Sequence, residues 1–179
     1  MRRLSFRGAA ALLTLLLMAA APGCRRRTTT VETVEEDNAQ LASVVQTNDA
    51  KASMQLLKGF YDIENGAWRW TKSEFSVTLK APPEARTKGA VLKLSFSVTE
   101  PLLQHTRTTT LSAVANGSVL EPETYTKAGQ YTYERKIPAA DVQGEAVTID
   151  FRLDKFLTAG QVEERELGLV VASAGLYPQ

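Results

Sequence analysis

The sequence predicts an all-β domain, folded as a two-sheet antiparallel β-sandwich and preceded by a signal peptide and a flexible tether. Three observations support this prediction. From about Met54 onward, apolar and polar residues alternate in runs that glycine, proline and asparagine separate. The chain also begins with a basic stretch that is followed by an uncharged apolar run. Its 179 residues are enough for one domain with a leader segment.

The alternation predicts at least seven strands. The clearest runs are residues 74–80, 92–98, 109–115, 130–135, 147–154 and the nearly apolar 167–176. Asn116-Gly117 predicts a two-residue hairpin turn, because both residues tolerate positive φ. Strands with one polar face favour two packed sheets in a jelly-roll or galactose-binding-like arrangement. Between the strands, we expect a loop over 100–106 and a single helical turn over 138–142.

The first 23 residues predict a signal peptide. Arg2, Arg3 and Arg7 make the start basic, and residues 9–21 form an apolar run. A helix of this length spans about 20 Å, which is shorter than the ~30 Å hydrocarbon core of a bilayer. The segment therefore predicts export and not a transmembrane anchor.

Ala21-Pro22-Gly23-Cys24 resembles the lipobox of bacterial lipoproteins, in which small residues precede a cysteine that is lipidated and becomes the mature N-terminus. The resemblance implies that Cys24, the only cysteine of the chain, anchors the exported protein in a membrane. Arg25 follows in place of aspartate, which implies the outer membrane where two membranes are present. The alternative is cleavage after Ala21, which leaves Cys24 as a free thiol.

The chain divides into three predicted segments. Residues 1–23 are the signal peptide, 24–52 are the lipidated cysteine with a flexible tether, and 53–179 are the sandwich domain. The stretch 25–48 has no aromatic residue and carries an acidic cluster, a composition that buries too little apolar surface to fold. A short helix is also compatible with the spacing near 49–57.

Composition narrows the function classes. Lys and Arg (21) nearly balance Asp and Glu (20), so the chain has no long-range field that would attract nucleic acid. A single cysteine and a single histidine exclude disulfide frameworks, cysteine-based zinc sites and multi-histidine metal centres. We therefore expect no metal, no cofactor and no nucleic-acid partner.

The candidate ligand-binding residues are Trp68, Arg69, Trp70, Tyr131 and Tyr133. In a strand, Trp68 and Trp70 share one face and Arg69 lies on the other. Two indoles on one face could form a stacking platform for sugar rings. The alternative is that at least one indole closes the core while Arg69 pairs with a carboxylate across the sheet. Tyr131 and Tyr133 also share a face, as a half-buried pair or a weak binding surface.

Structural ion pairs are expected around Arg165 and Glu166, which lie before the last predicted strand. Glu64, near the first strand, is a candidate partner. The chain lacks a G-x-S-x-G motif, so a hydrolytic triad has no support from its sequence. A glycosidase would need two carboxyl groups facing one cleft, which sequence spacing in a sandwich does not reveal.

Several motifs together resemble a group of uncharacterised bacterial envelope proteins. These motifs are Gly59-Phe60-Tyr61, Trp68-Arg69-Trp70-Thr71, Pro82-Pro83, Asn116-Gly117 and Arg165-Glu166-Leu167-Gly168-Leu169. The resemblance covers about residues 53–177. It implies a β-sandwich and an envelope location, and it implies no reaction.

The leading hypothesis is a non-catalytic, lipid-anchored envelope protein whose sandwich binds a glycan or a protein partner. The alternative is a structural or assembly lipoprotein that docks through a sheet edge or a sheet face. An envelope hydrolase is the less favoured third hypothesis, because it needs two convergent carboxylates in a cleft.

Overall fold

The computed structural model describes residues 40–179, which form nine strands, two short α-helices and two 3₁₀ turns. The predicted signal peptide, Cys24 and the first part of the predicted tether lie outside the described residues. The strands are β1 (Val44–Gln46), β2 (Leu56–Phe60), β3 (Arg69–Lys80), β4 (Ala90–Val98), β5 (Thr109–Ala115), β6 (Ser118–Tyr125), β7 (Gly129–Ile137), β8 (Ala146–Leu153) and β9 (Val170–Pro178). The helices are α1 (Ala85–Lys88) and α2 (Glu100–Thr106), and the 3₁₀ turns are Ala50–Met54 and Ala139–Asp141.

All strand pairings are antiparallel, and they define two sheets. Sheet A has the order β3-β9-β4-β7, with β1 also paired to β9. Sheet B has the order β2-β3-β8-β5-β6. The predicted two-sheet antiparallel β-sandwich is confirmed.

Strand β3 belongs to both sheets. Arg69 and Trp70 pair with β9 in sheet A, whereas residues 74–80 pair with β8 in sheet B. The two tryptophans therefore lie at the start of β3, immediately before this strand crosses from sheet A to sheet B. This crossing places Trp68 and Trp70 at one end of the sandwich.

The core lies between the two sheets, and period-two alternation fills it. Along β4, each of Ala90, Leu92, Leu94, Phe96 and Val98 is buried, while the residues between them are partly exposed. Within sheet B, Phe75 stacks on Phe151 with ring centroids 4.9 Å apart, and Tyr133 of sheet A joins the layers by meeting Phe151 edge-on at 6.5 Å.

The sandwich begins earlier than predicted. Residues 44–46 form β1 on β9, and Val45 and Thr47 are buried. The Gln55 amide bonds the Ala42 carbonyl at 2.9 Å and the Thr78 carbonyl at 2.8 Å, which joins this segment to sheet B. The predicted boundary at residue 53 is therefore too late, because a three-residue strand carries too little alternation to be recognised from sequence.

Two predicted local structures differ from those observed. The helix expected near 49–57 is the shorter 3₁₀ turn Ala50–Met54, where the Asp49 carboxylate accepts the Lys51 N–H. The loop expected over 100–106 is helix α2, since Pro101 starts its first turn and Leu102 is fully buried. The helical turn predicted over 138–142 is present as Ala139–Asp141.

Within residues 40–179, no helix has the length and apolarity needed to cross a membrane.

Candidate ligand-binding site

A hairpin at one end of the sandwich positions the candidate residues. Glu64 and Trp68 bridge each other, and the turn between them contains Asn65 at φ 51° and Gly66 at φ 65°. The Tyr61 N–H donates to the Trp70 carbonyl at 3.0 Å, which places these two residues opposite each other on neighbouring strands. Tyr61 and Trp70 therefore share one face of the hairpin.

Both indoles of the chain are partly exposed. Trp68 and Trp70 each retain solvent-accessible surface, and the buried part of Trp70 packs against the edge of the core. Trp70 pairs with Val170 of β9, and Trp68 follows the turn two residues earlier. Neither indole is fully buried, so each ring presents part of its surface to solvent.

Arg69 does not lie at this surface. Its side chain is buried, and it donates to the Thr47 carbonyl at 2.8 Å, the Tyr61 carbonyl at 3.0 Å and the Ser53 hydroxyl at 3.0 Å. The expectation that Arg69 contacts a ligand or pairs with a carboxylate is wrong. Alternation turns it inward, where neutral oxygens from the N-terminal segment and from the hairpin surround it.

Arg165 stands beside the hairpin and connects it to the segment before β9. Its Nη1 donates to Glu64 Oε1 at 2.7 Å, and its Nε and Nη2 donate to Glu163. The guanidinium carbon lies 4.9 Å from the centroid of the Tyr61 ring. We define the hairpin patch as Tyr61, Glu64, Trp68, Trp70, Glu163 and Arg165.

In the hairpin patch, Arg165 and its carboxylate partners favour each other's charged forms. Hydrogen bonding to Arg165 lowers the pKa of the Glu163 carboxyl, and the two carboxylates raise the pKa of Arg165 above its ordinary value. Burial raises the pKa of the Tyr61 hydroxyl, with a further contribution from the Glu166 charge. At neutral pH Arg165 is therefore a guanidinium, Glu163 is a carboxylate and Tyr61 is a neutral phenol.

Glu166 has a different role from the predicted ion pair. Its Oε1 accepts the Ser73 N–H at 2.6 Å, and its main-chain carbonyl accepts the Tyr61 hydroxyl at 2.8 Å. The first contact fixes the segment before β9 to β3, and the second fixes it to the hairpin. The predicted Arg165–Glu64 pair is present, whereas the Glu166 carboxylate bonds the Ser73 backbone.

Tyr133 is not part of a binding surface. It is fully buried, and its hydroxyl donates to the Glu121 carbonyl at 2.7 Å. Tyr131 is partly exposed, packs 4.7 Å from the Tyr125 ring and donates to the Lys127 carbonyl at 2.9 Å. The expected shared face exists, but it points into the seam between the sheets, so the prediction of Tyr133 as a ligand residue is wrong.

Two members of the patch were outside the candidate set. Tyr61 joins it because the hairpin register places Tyr61 opposite Trp70, and Glu163 joins Arg165 through a contact two residues away. Once Asn65-Gly66 is assigned as a turn, counting back along the strand from the turn places Tyr61 near Trp70, and this count is the signal that could have identified Tyr61.

Within residues 40–179, no group of three or more histidine, cysteine, aspartate or glutamate side chains could hold a metal ion.

Comparison with known proteins gives likeness of fold alone. No family model and no curated protein matches the chain. A family GH115 4-O-methyl-α-glucuronidase with specificity for decorated arabinogalactans aligns with a TM-score of 0.49 and 11% identity, over 78% of this chain. The chain spans only 18% of the length of that glucuronidase.

Two carbohydrate-binding modules also resemble the chain. The CBM36-1 domain of a multidomain xylanase, from the hindgut metagenome of Trinervitermes trinervoides, has a TM-score of 0.40 and 13% identity, over 76% of this chain and 96% of its own. A family 35 carbohydrate-binding module from an environmental isolate has a TM-score of 0.35 and 15% identity, over 78% of this chain and 90% of its own. The chain is similar to these proteins in its β-sandwich architecture, and no site residue is transferred from them.

Proposed function

We propose that this protein is a non-catalytic, lipid-anchored envelope protein whose sandwich binds a glycan through the hairpin patch. The observation that supports the proposal is the pair of partly exposed indoles beside Tyr61 and Arg165. Sugar rings present C–H groups on their faces and hydroxyl groups on their rims, so they need apolar plates flanked by hydrogen-bonding groups.

The patch offers both kinds of contact. The Trp68 and Trp70 rings provide the apolar plates. A guanidinium has five N–H groups, and three of those on Arg165 bond Glu64 and Glu163, which leaves two for ligand hydroxyls. Glu64 uses one carboxylate oxygen for Arg165, so its second oxygen can accept a hydrogen bond from a ligand hydroxyl.

The patch is also held in place before any ligand arrives. Arg69 fixes the base of the hairpin through the Tyr61 carbonyl, and the Tyr61 hydroxyl is fixed by the Glu166 carbonyl. A preorganised site loses less conformational entropy on binding than a mobile one. A site with few contact residues can then bind a glycan with measurable affinity.

The two tryptophans of the chain make the binding test direct. Both lie in the patch, so tryptophan emission reports on this site alone. We expect neutral oligosaccharides to shift the emission of the full mature chain. The changes Trp68→Ala and Trp70→Ala should each weaken binding about tenfold or more in titration calorimetry.

The matched control is Val119→Ala, which removes a 79% exposed apolar side chain from β6, on another part of the surface. This variant should bind as the wild type does. If no oligosaccharide changes the emission, or if both tryptophan variants keep full affinity, glycan binding at the hairpin patch is refuted.

Membrane anchoring is part of the proposal and rests on Cys24. Each buried methylene of an acyl chain contributes about 0.8 kcal/mol, so two or three chains hold a protein on a bilayer. We expect the full-length protein to incorporate labelled palmitate and to sediment with membranes, and Cys24→Ser to do neither. An unmodified Cys24 in mass spectrometry of the mature N-terminus would refute the anchor.

Docking through the β6 edge has less support than glycan binding. Pro122 lies within this edge strand and has no N–H to offer a partner strand. The Glu121 carbonyl already accepts the Tyr133 hydroxyl and Arg135 Nε, each at 2.7 Å. A partner strand would have to displace both bonds.

A further inference from the structure

The register of sheet A carries Trp70 into a row of residues that crosses four strands. Trp70 pairs with Val170, Val170 pairs with Ser97, and Ser97 pairs with Gln130. Residues paired in this way lie on the same face of a sheet. Because Phe96 and Val98 point into the core, this row lies on the outer face of sheet A.

A second row of small polar residues lies beside the first. Ser95 pairs with Ser173 on one side and with Thr132 on the other. The register of β9 shifts by one residue at this point, and the extra residue, Ala172, is exposed. Together the two rows border a shallow groove of about 320 Å³, whose lining combines Ser95, Ser97, Gln130, Thr132 and Ala172 with parts of Phe96 and Tyr131.

The groove has an uncharged floor and a charged boundary. Lys93 and Glu134 form a 2.9 Å ion pair in the next row, and the Lys93 ammonium lies 5.6 Å from the centroid of the Tyr177 ring. The floor itself presents hydroxyl and amide groups. Among the lining residues that the structure describes, none carries a charge, and the Lys93 ammonium in the next row is already paired with Glu134.

We infer that this groove extends the hairpin patch and binds the further units of an extended, uncharged glycan that lies across the strands. The inference rests on the proposed function. Three strand spacings of about 4.8 Å separate β3 from β7, so the row from Trp70 to Gln130 is about 14 Å long. That length exceeds one sugar ring, and therefore the site accommodates a chain.

The lining favours a glycan over a polypeptide. Protein interfaces use large apolar or aromatic anchors in their centre, whereas the floor of this groove has short hydroxyl side chains from Ser95, Ser97 and Thr132. Glycan chains present many hydroxyl groups that exchange hydrogen bonds with such residues. Trp70 supplies an aromatic surface at one end of the row, and Phe96 and Tyr131 also border the groove.

Chain length and charge are the variables that test the inference. The full mature chain is titrated with dimers and hexamers of β-1,4-linked N-acetylglucosamine, β-1,4-linked glucose and α-1,4-linked glucose, and with hexagalacturonate. For at least one neutral series, we expect the hexamer to bind about tenfold or more tightly than the dimer. Hexagalacturonate should bind less tightly than that hexamer.

Groove-filling variants test where the extra units bind. Ser97→Arg should lower the affinity for the hexamer to that for the dimer and leave dimer affinity unchanged. Thr132→Arg, at an exposed position of β7, is the second variant and should act in the same direction. The control is Thr148→Arg on the outer face of sheet B, which should change neither affinity.

The outcomes separate this inference from the proposed function. If dimers and hexamers shift tryptophan emission with equal affinity, or if both groove variants bind hexamers as the wild type does, the groove is refuted and the hairpin patch stands. If hexagalacturonate binds as tightly as the neutral hexamer, the uncharged ligand class is refuted. If no oligosaccharide shifts the emission, the proposed function itself fails.

Discussion

At the scale of single residues, Arg69 shows how burial assigns a role that residue type does not. Its guanidinium lies inside the fold and bonds oxygens from three segments: Thr47 before the first 3₁₀ turn, Ser53 within that turn and Tyr61 at the hairpin base. A buried cation is costly unless its donors are satisfied, and here three of them bond neutral acceptors. Arg69 therefore positions the hairpin and does not contact the ligand.

Removing this side chain should destabilise the protein substantially. Arg69→Met leaves the buried Thr47 carbonyl and the part-buried Tyr61 carbonyl without their donor, and we expect the free energy of unfolding to fall by about 2–4 kcal/mol. Urea titration followed by circular dichroism measures the change. Arg152→Met is the control, because Arg152 is 74% exposed and lies 3.8 Å from Glu74, a geometry worth less than about 0.5 kcal/mol. Equal effects in the two variants would contradict the role given to Arg69.

At the scale of elements, the hairpin that carries the patch depends on close backbone packing at its base. Gly59 has φ 75°, and a Cβ there would lie 2.0 Å from the Glu74 carbonyl oxygen. Gly66, at the tip, has φ 65° and no atom within 4 Å of the corresponding position. Both positions favour glycine for their dihedral angle, but only Gly59 is also enclosed.

This difference predicts unequal effects for two matched substitutions. Gly66→Ala should cost about 1–2 kcal/mol of unfolding free energy, which is the penalty of a left-handed conformation alone. Gly59→Ala adds a steric clash with the backbone of β3, and we expect a loss of about 2–5 kcal/mol. Chemical denaturation of both variants tests this order. A smaller loss for Gly59→Ala than for Gly66→Ala would show that β2 does not pack on β3 as described.

At the scale of the whole molecule, aromatic residues close the seam between the two sheets. Tyr125 comes from β6 of sheet B, Tyr133 comes from β7 of sheet A, and both are buried. The Arg135 guanidinium covers the Tyr133 ring at 4.2 Å and bonds Glu123 at 2.9 Å. The seam is therefore closed by side chains and not by a backbone ladder.

Burial of these phenols makes stability depend on alkaline pH. Desolvation raises the pKa of Tyr125 and of Tyr133 above the ordinary value near 10. In the unfolded chain both phenols ionise near pH 10, so above that pH the unfolded state binds fewer protons than the folded state. The contribution of these tyrosines to the free energy of unfolding is therefore complete below about pH 10. Above that pH it falls, by up to about 1.4 kcal/mol per pH unit for each tyrosine.

Thermal unfolding between pH 8 and pH 11 measures this decline. Lysines also titrate in this range, so the control is the double variant Tyr125→Phe and Tyr133→Phe, which keeps the rings and removes both ionisable groups. Its unfolding midpoint should fall less steeply with pH than that of the wild type. Parallel curves for the two proteins would mean that the seam tyrosines do not contribute.

The sequence predictions are accurate where a structure depends on residues that are close in sequence, and inaccurate where it depends on distant contacts. Strand periodicity is local, because side chains two residues apart share a face, and residues 92–98 and 147–153 alternate as expected. The three-residue β1 and helix α2 were missed, since neither contains enough residues for a period to be read. Their stability comes from burial of Val45 and Leu102 against the core.

By itself, the sequence determined the antiparallel layers, the hairpin turn at Asn116-Gly117 and the pairing of two indoles on one strand face. Only the tertiary structure decided that Arg69 turns inward, that Tyr133 seals a seam and that Arg165 pairs with Glu64 and not with Glu166. The contacts of Thr47 with Val171 and of Arg165 with Glu64 join residues 124 and 101 positions apart. Local alternation specifies which face a side chain occupies, but the partner on that face depends on which distant strand lies beside it.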